Sequence, residues 1–134
     1  MRSYSLALVS MFVLAACGDD GGTSPADGPS QQDSAASSVA EVDCASVTPD
    51  ATVVVSSATG TAAYDPMTTN ISVNGVVKFT MPGSHSAVSG SPPGTADGKF
   101  RVNFNETKCL RFTEAGTYPF WCDPHHFMGS IVVQ

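Results

Sequence analysis

Positive charge is scarce in this chain: six Lys and Arg stand against twelve Asp and Glu, for a net charge of -6. A surface so poor in bases cannot neutralise a phosphate backbone, which argues against nucleic acid as a partner. Histidine occurs only three times, as His85, His125 and His126, and tryptophan once, as Trp121. No segment keeps a helical period, and no apolar run is long enough to span a bilayer. Neither a Ser-His-Asp set nor a pair of facing carboxylates stands out, so the chain does not read as a hydrolase or any other enzyme.

The N-terminal third is read as export and attachment. Residues 1–5 carry one base, Arg2, and residues 6–16 form a short apolar run, the pattern of a signal peptide. The run ends in Leu14-Ala15-Ala16-Cys17, which resembles the bacterial lipobox. That resemblance implies that Cys17 is the lipidated first residue of the mature protein, anchored to a bacterial membrane on its periplasmic or cell-surface face. The competing reading is an ordinary signal peptide with an incidental cysteine. Residues 17–41 are Gly, Asp, Ser, Ala, Pro and Gln with Val39 as the one large apolar side chain, too little to offset the entropy of ordering, so a flexible tether is expected. The acids Asp19, Asp20, Asp27, Asp33 and Glu41 lie before residue 42, which leaves seven acids and five bases in the remainder.

Residues 42–134 read as one all-β domain. Short runs rich in Val, Thr, Phe and Ile recur between Gly, Pro, Asn and Asp, as in a β-sandwich of about seven to eight strands. Strands are expected at 52–56, 70–73, 76–80, 87–89, 100–104, 109–113, 117–122 and 130–133. Asn74-Gly75 signals a tight turn between two alternating runs, with Ile71 and Val73 inward before it and Val77 and Phe79 inward after it. Phe100, Val102, Phe104, Leu110 and Phe112 supply further inward positions. In the 117–122 strand the period of two sets Tyr118, Phe120 and Cys122 on one face and Pro119 and Trp121 on the other. Pro119 cannot donate to a ladder, so this strand should lie at an edge or carry an irregularity there.

The chemistry gathers near the end of the chain, in Gly116-Thr117-Tyr118-Pro119-Phe120-Trp121-Cys122-Asp123-Pro124-His125-His126-Phe127-Met128-Gly129-Ser130. Cys122, His125 and Met128 follow one another at three-residue steps, so a thiolate, an imidazole and a thioether can converge from one loop. Pro124 restricts that loop, and Gly129 is expected to let the chain turn back into its last strand. Two histidines, a cysteine and a weak methionine suit one copper ion used for electron transfer. His85 is the remaining candidate for the second imidazole, since His126 beside His125 reads as solvated. Met128 has a second reading as a packing residue, because methionine fills gaps well. Cys44 and Cys109 are then left over and are expected to pair, closing a loop that stabilises the domain by about 4 kcal/mol in the chain-entropy model. Two separate thiols is the alternative.

This C-terminal segment resembles the cupredoxins, and most closely the amicyanins, whose loop is Cys-x-x-His-x-x-Met between a Gly-Thr-Tyr strand start and a Val-rich last strand. Plastocyanins and pseudoazurins place their Met at the position held here by Ser130. The resemblance implies a Greek-key cupredoxin sandwich and a type 1 copper ion with His85, Cys122 and His125 as equatorial ligands and Met128 as axial ligand. It also implies a bond from Ser86 across to the ligand loop, where relatives carry Asn. Gly83-Ser84, inserted before His85, departs from the family pattern.

The expected function is one-electron transfer between Cu(II) and Cu(I) by a membrane-tethered monomer. Its partner would be a transiently docking redox protein, a cytochrome or another cuproprotein, and its only membrane contact the lipid. His125 would be the electron port, with Pro124, Phe127 and Pro92-Pro93 around it, and Trp121 either a side route or a packed aromatic. The alternative is a carrier or chaperone that hands over copper itself. Oxidases and reductases with further copper centres need more histidines than the chain has.

Overall fold

The computed structural model describes residues 37–58, 60–91 and 94–134, and the expectations for the signal peptide, Cys17, most of the tether and Pro92-Pro93 lie outside them. The described residues contain strands and no helix. In chain order these are β1 (Val39–Val42), β2 (Ala51–Ser56), β3 (Ala63–Asp65), β4 (Thr68–Ile71), β5 (Val76–Met81), β6 (Ala87–Ser91), β7 (Thr95–Val102), β8 (Glu106–Phe112), β9 (Gly116–Trp121) and β10 (Met128–Val133). One sheet runs β1-β8-β5-β2-β3 and the other β4-β10-β9-β6-β7. The all-β sandwich therefore has ten strands rather than seven or eight.

Both additional strands are short. β1 starts inside the stretch expected to be tether and pairs Val39 with Phe112 and Val42 with Cys109. Val39, the single large apolar residue of that stretch, is 5% exposed and seals the end of the core. β3 is three residues around Tyr64, below the length at which alternation can be recognised.

Asn74-Gly75 does make a tight turn, with Asn74 at φ 68° and the Gly75 N–H donating to the Ser72 carbonyl at 2.9 Å. Its strands, β4 and β5, lie in different sheets, so the turn carries the chain from one layer to the other. Val73 is consequently exposed, a correction to its inward assignment, whereas Ile71, Val77 and Phe79 are buried. Phe104 is also corrected. β7 ends at Val102, and Phe104 in the following turn is 50% exposed.

The two inner faces meet in an aromatic spine. Phe79 sits 5.4 Å from Phe120, edge to face, and 5.5 Å from Phe100, while Phe112 packs edge-on to Phe100 and to Tyr118. Such tilted pairs add about 0.5–1.5 kcal/mol each beyond the area they bury. Tyr118 reaches out of the core to donate to the Glu114 carbonyl at 2.9 Å. β9 is an interior strand rather than an edge, and its ladder to β6 is short, pairing Phe120 and Trp121 and stopping before Pro119. Pro119 therefore has no ladder partner on the β6 side. Cys44 and Cys109 form a disulfide, Cα–Cα 5.2 Å, spanning 65 residues.

Candidate metal centre

Two loops at one end of the sandwich supply the donors. The first follows β5, where Pro82, Gly83 and Ser84 make a turn closed by the His85 N–H to the Pro82 carbonyl at 3.1 Å. Gly83 adopts φ 54°, a left-handed conformation suited to glycine, and its N–H donates to the Asn105 side chain at 2.9 Å. The inserted Gly83-Ser84 is thus absorbed in a turn that still delivers His85 to the site.

The second loop joins β9 to β10. The Cys122 carbonyl accepts the N–H groups of His125 and His126, and the Cys122 N–H donates to the Phe127 carbonyl at 2.9 Å. His126 takes φ 60° and points into solvent. Pro124 and His125 are exposed, Phe127 is half-buried, and Cys122 is fully buried. Cys122 is the free cysteine among the described residues.

The structure brings His85, Cys122 and His125 together, with ligand atoms all within 4.8 Å of one another. The Cys122 Sγ lies 3.8 Å from His85 Nδ1 and 3.4 Å from His125 Nδ1. One ion held at about 2.0 Å by nitrogen and about 2.3 Å by sulfur needs donors about 3.4–3.8 Å apart for bond angles of about 104–124°. The spacing thus fits a single soft transition metal in a trigonal or tetrahedral set. Burial, and then the neighbouring His125, hold the His85 imidazole below the usual histidine value, which favours its neutral, metal-binding form.

Ser86 is fully buried, and its N–H and Oγ tie the first loop to the second while its carbonyl is held from β3. Its N–H points at the Cys122 sulfur at 3.5 Å, its Oγ accepts the Asp123 N–H at 3.1 Å, and its carbonyl accepts the Tyr64 hydroxyl at 2.6 Å. The bond expected from Ser86 to the ligand loop is therefore present. Tyr64 was not singled out in the sequence. Its ring packs at 4.6 Å on both Phe120 and Phe127, and burial, then the Cys122 charge, push its phenol well above the usual value. The one signal that pointed to it was an isolated aromatic among small residues.

Met128, expected as the axial ligand, is 54% exposed at the first position of β10 and lines a surface pocket with Met67, Thr68 and Ser130. Gly129 plays a different part from the one expected. It lies within β10 opposite Phe120, and a Cβ there would fall 2.5 Å from the Phe120 ring, so its role is space rather than a turn. The turn itself is made at residues 122–126. Trp121 is buried at 2% exposure, as the packed-aromatic reading expects.

No protein-family model matches the chain, and no curated protein sequence matches it. Solved structures do share its architecture. A purple cupredoxin from Nitrosopumilus maritimus is 25% identical, covering 63% of this chain and 100% of its own, with a TM-score of 0.51. The amicyanin of Paracoccus versutus is 19% identical over 72% of this chain and 98% of its own, TM-score 0.51. A pseudoazurin from Sinorhizobium meliltoi is 22% identical over 63% of this chain and 72% of its own, also at 0.51. Two sheets of five strands, closed over an aromatic spine and matched along most of the folded region, make this chain a cupredoxin in fold.

Proposed function

We propose that the chain is a one-electron carrier whose copper is held by His85, Cys122 and His125. The observation that carries this reading is the donor spacing: one thiol and two imidazole nitrogens at 3.4 and 3.8 Å, the sulfur buried and one imidazole at the surface. Copper bound by such a set supplies a Cu(II)/Cu(I) couple that works with little change of geometry. The chain's own residues provide the rigidity. Ser86 fixes one loop against the other, and the Cys122–Phe127 hydrogen bond closes the second on itself. Amicyanin, whose fold this chain shares, is described in both oxidized and reduced states.

His125, exposed beside exposed Pro124, is the natural exit for an electron to a transiently docked redox protein. On the sequence alone we further propose export and anchoring through a lipid on Cys17; loss of fatty-acid labelling in Cys17→Ser tests it.

The decisive measurement is addition of one equivalent of Cu(II) to the purified protein, followed by visible and EPR spectra. An intense thiolate-to-copper band that disappears in Cys122→Ser and persists through repeated redox cycling is expected. Lack of the band in the unaltered protein sinks the reading. A band that vanishes because a chelator strips the copper within seconds favours copper delivery over electron transfer.

A further inference from the structure

We infer that the crossing from β7 to β8 is a brace for the metal centre, with Asn105 the positioning residue for His85 and Arg101 the one for the loop that carries Cys122 and His125. The inference rests on the copper reading above and names side chains that hold the donors without touching the ion.

Two crossings between the sheets run side by side. β5 and β8 belong to one sheet, β6 and β7 to the other, and the pairs Met81 with Glu106 and Ala87 with Val102 fix both ends of each crossing. Residues 103–105 make one crossing and residues 82–86 the other, so the loop with His85 is two residues longer than its neighbour. The surplus stands out from the surface. Pro82, Gly83 and Ser84 are exposed, and a Cβ added at Gly83 would meet nothing within 4 Å. Packing therefore does not fix this stretch, and hydrogen bonds must. One is internal, from the His85 N–H to the Pro82 carbonyl, and one comes from the neighbouring crossing, where the Asn105 side-chain oxygen accepts the Gly83 N–H. Asn105 suits that post twice over: its φ of 55° is left-handed, which asparagine tolerates better than most residues, and its short amide supplies the acceptor.

The same turn also reaches the second loop. Arg101 Nη2 donates to Asp123 Oδ2 at 3.1 Å, on the residue that follows Cys122. Arg101 Nε donates to Asn103 Oδ1 at 3.1 Å, and the Asn103 N–H and Nδ2 both donate to Glu106 Oε2, which closes the turn on itself. The Arg101–Asp123 pair is about half exposed, so water and salt screen it and it adds little stability. Its part is direction: Asp123 is held by its N–H at Ser86 Oγ and by its carboxylate at Arg101. Asn105 carries the larger effect, because it holds a stretch that nothing packs against, whereas Arg101 adds to a loop already closed by its own backbone.

The test compares Asn105→Gly, Asn105→Asp and Arg101→Gln with the unaltered protein. Glycine keeps the left-handed backbone and removes the acceptor, while aspartate keeps both; high salt screens the charge it adds. In the metal-free protein, Asn105→Gly is expected to broaden the ring NMR signals of His85 and leave those of His125 sharp, with Asn105→Asp restoring them. In the Cu(II)-loaded protein, Asn105→Gly is expected to broaden the EPR spectrum and to release copper to a chelator about two- to fivefold faster. Arg101→Gln is expected to act on His125 instead, with release about twofold faster. His85 signals that stay sharp in Asn105→Gly, or that broaden equally in Asn105→Gly and Asn105→Asp, overturn the inference and leave the copper reading intact. A protein that never colours with Cu(II) overturns the copper reading, and the metal-free ring signals then still decide whether Asn105 positions His85.

Discussion

Residues 82–86 and residues 122–127 deliver imidazoles to the same cluster, yet they are held in different ways. The second loop is self-contained: Cys122 alone satisfies three backbone bonds within it, and its ends are stitched by the β9–β10 ladder. The first has one internal bond, His85 to Pro82, and is otherwise pinned from outside by Asn105, Tyr64 and Asp123. A local loop fixes its donors by its own geometry. A remote loop needs partners in other strands, and its donor is only as well placed as those partners.

Four changes break or sharpen that contrast. Removing the Cys44–Cys109 disulfide by Cys44→Ala with Cys109→Ala touches neither loop; a loss of about 2–5 kcal/mol is expected in denaturant unfolding, with the visible spectrum of the folded protein unaltered. Gly129→Ala attacks the self-contained loop at its root, forcing a methyl against Phe120 and Tyr64. It is expected to cost about 1–3 kcal/mol and to broaden the spectrum, as read by urea unfolding and EPR linewidth. Ser86→Ala removes the acceptor for the Asp123 N–H and unties the two loops, costing about 1–3 kcal/mol; weaker copper retention against a chelator is the accompanying readout. Tyr64→Phe deletes only the bond to the Ser86 carbonyl, for about 1 kcal/mol, and loosens the His85 side alone. Faster hydrogen exchange at His85 than at His125 would mark that selectivity, and equal changes at both would contradict it.

The same contrast governs what the sequence discloses. The pattern from Gly116 to Ser130 is compact, so the strand, the loop and the convergence of Cys122 with His125 can be read directly. The alternation of Phe100 with Val102, and of Leu110 with Phe112, likewise locates the core. Val39 and Tyr64 are hidden because each acts alone, in a strand too short to show a period, and their burial is decided by partners far along the chain. Val73 and Phe104 mislead for the converse reason, since alternation continues in the letters after the strand has ended. Gly129 is the most instructive. Its letter suggests a turn, whereas the register of β10 against β9 sets it opposite Phe120, where a side chain has no room.

The burial of Trp121 has a practical consequence. It is the single tryptophan of the chain, sealed from water and covalently next to the Cys122 thiol. Its fluorescence therefore comes from one site, blue-shifted in the folded state and within quenching range of whatever the cluster holds. Loading and unfolding can be followed on the same intrinsic chromophore, without a label.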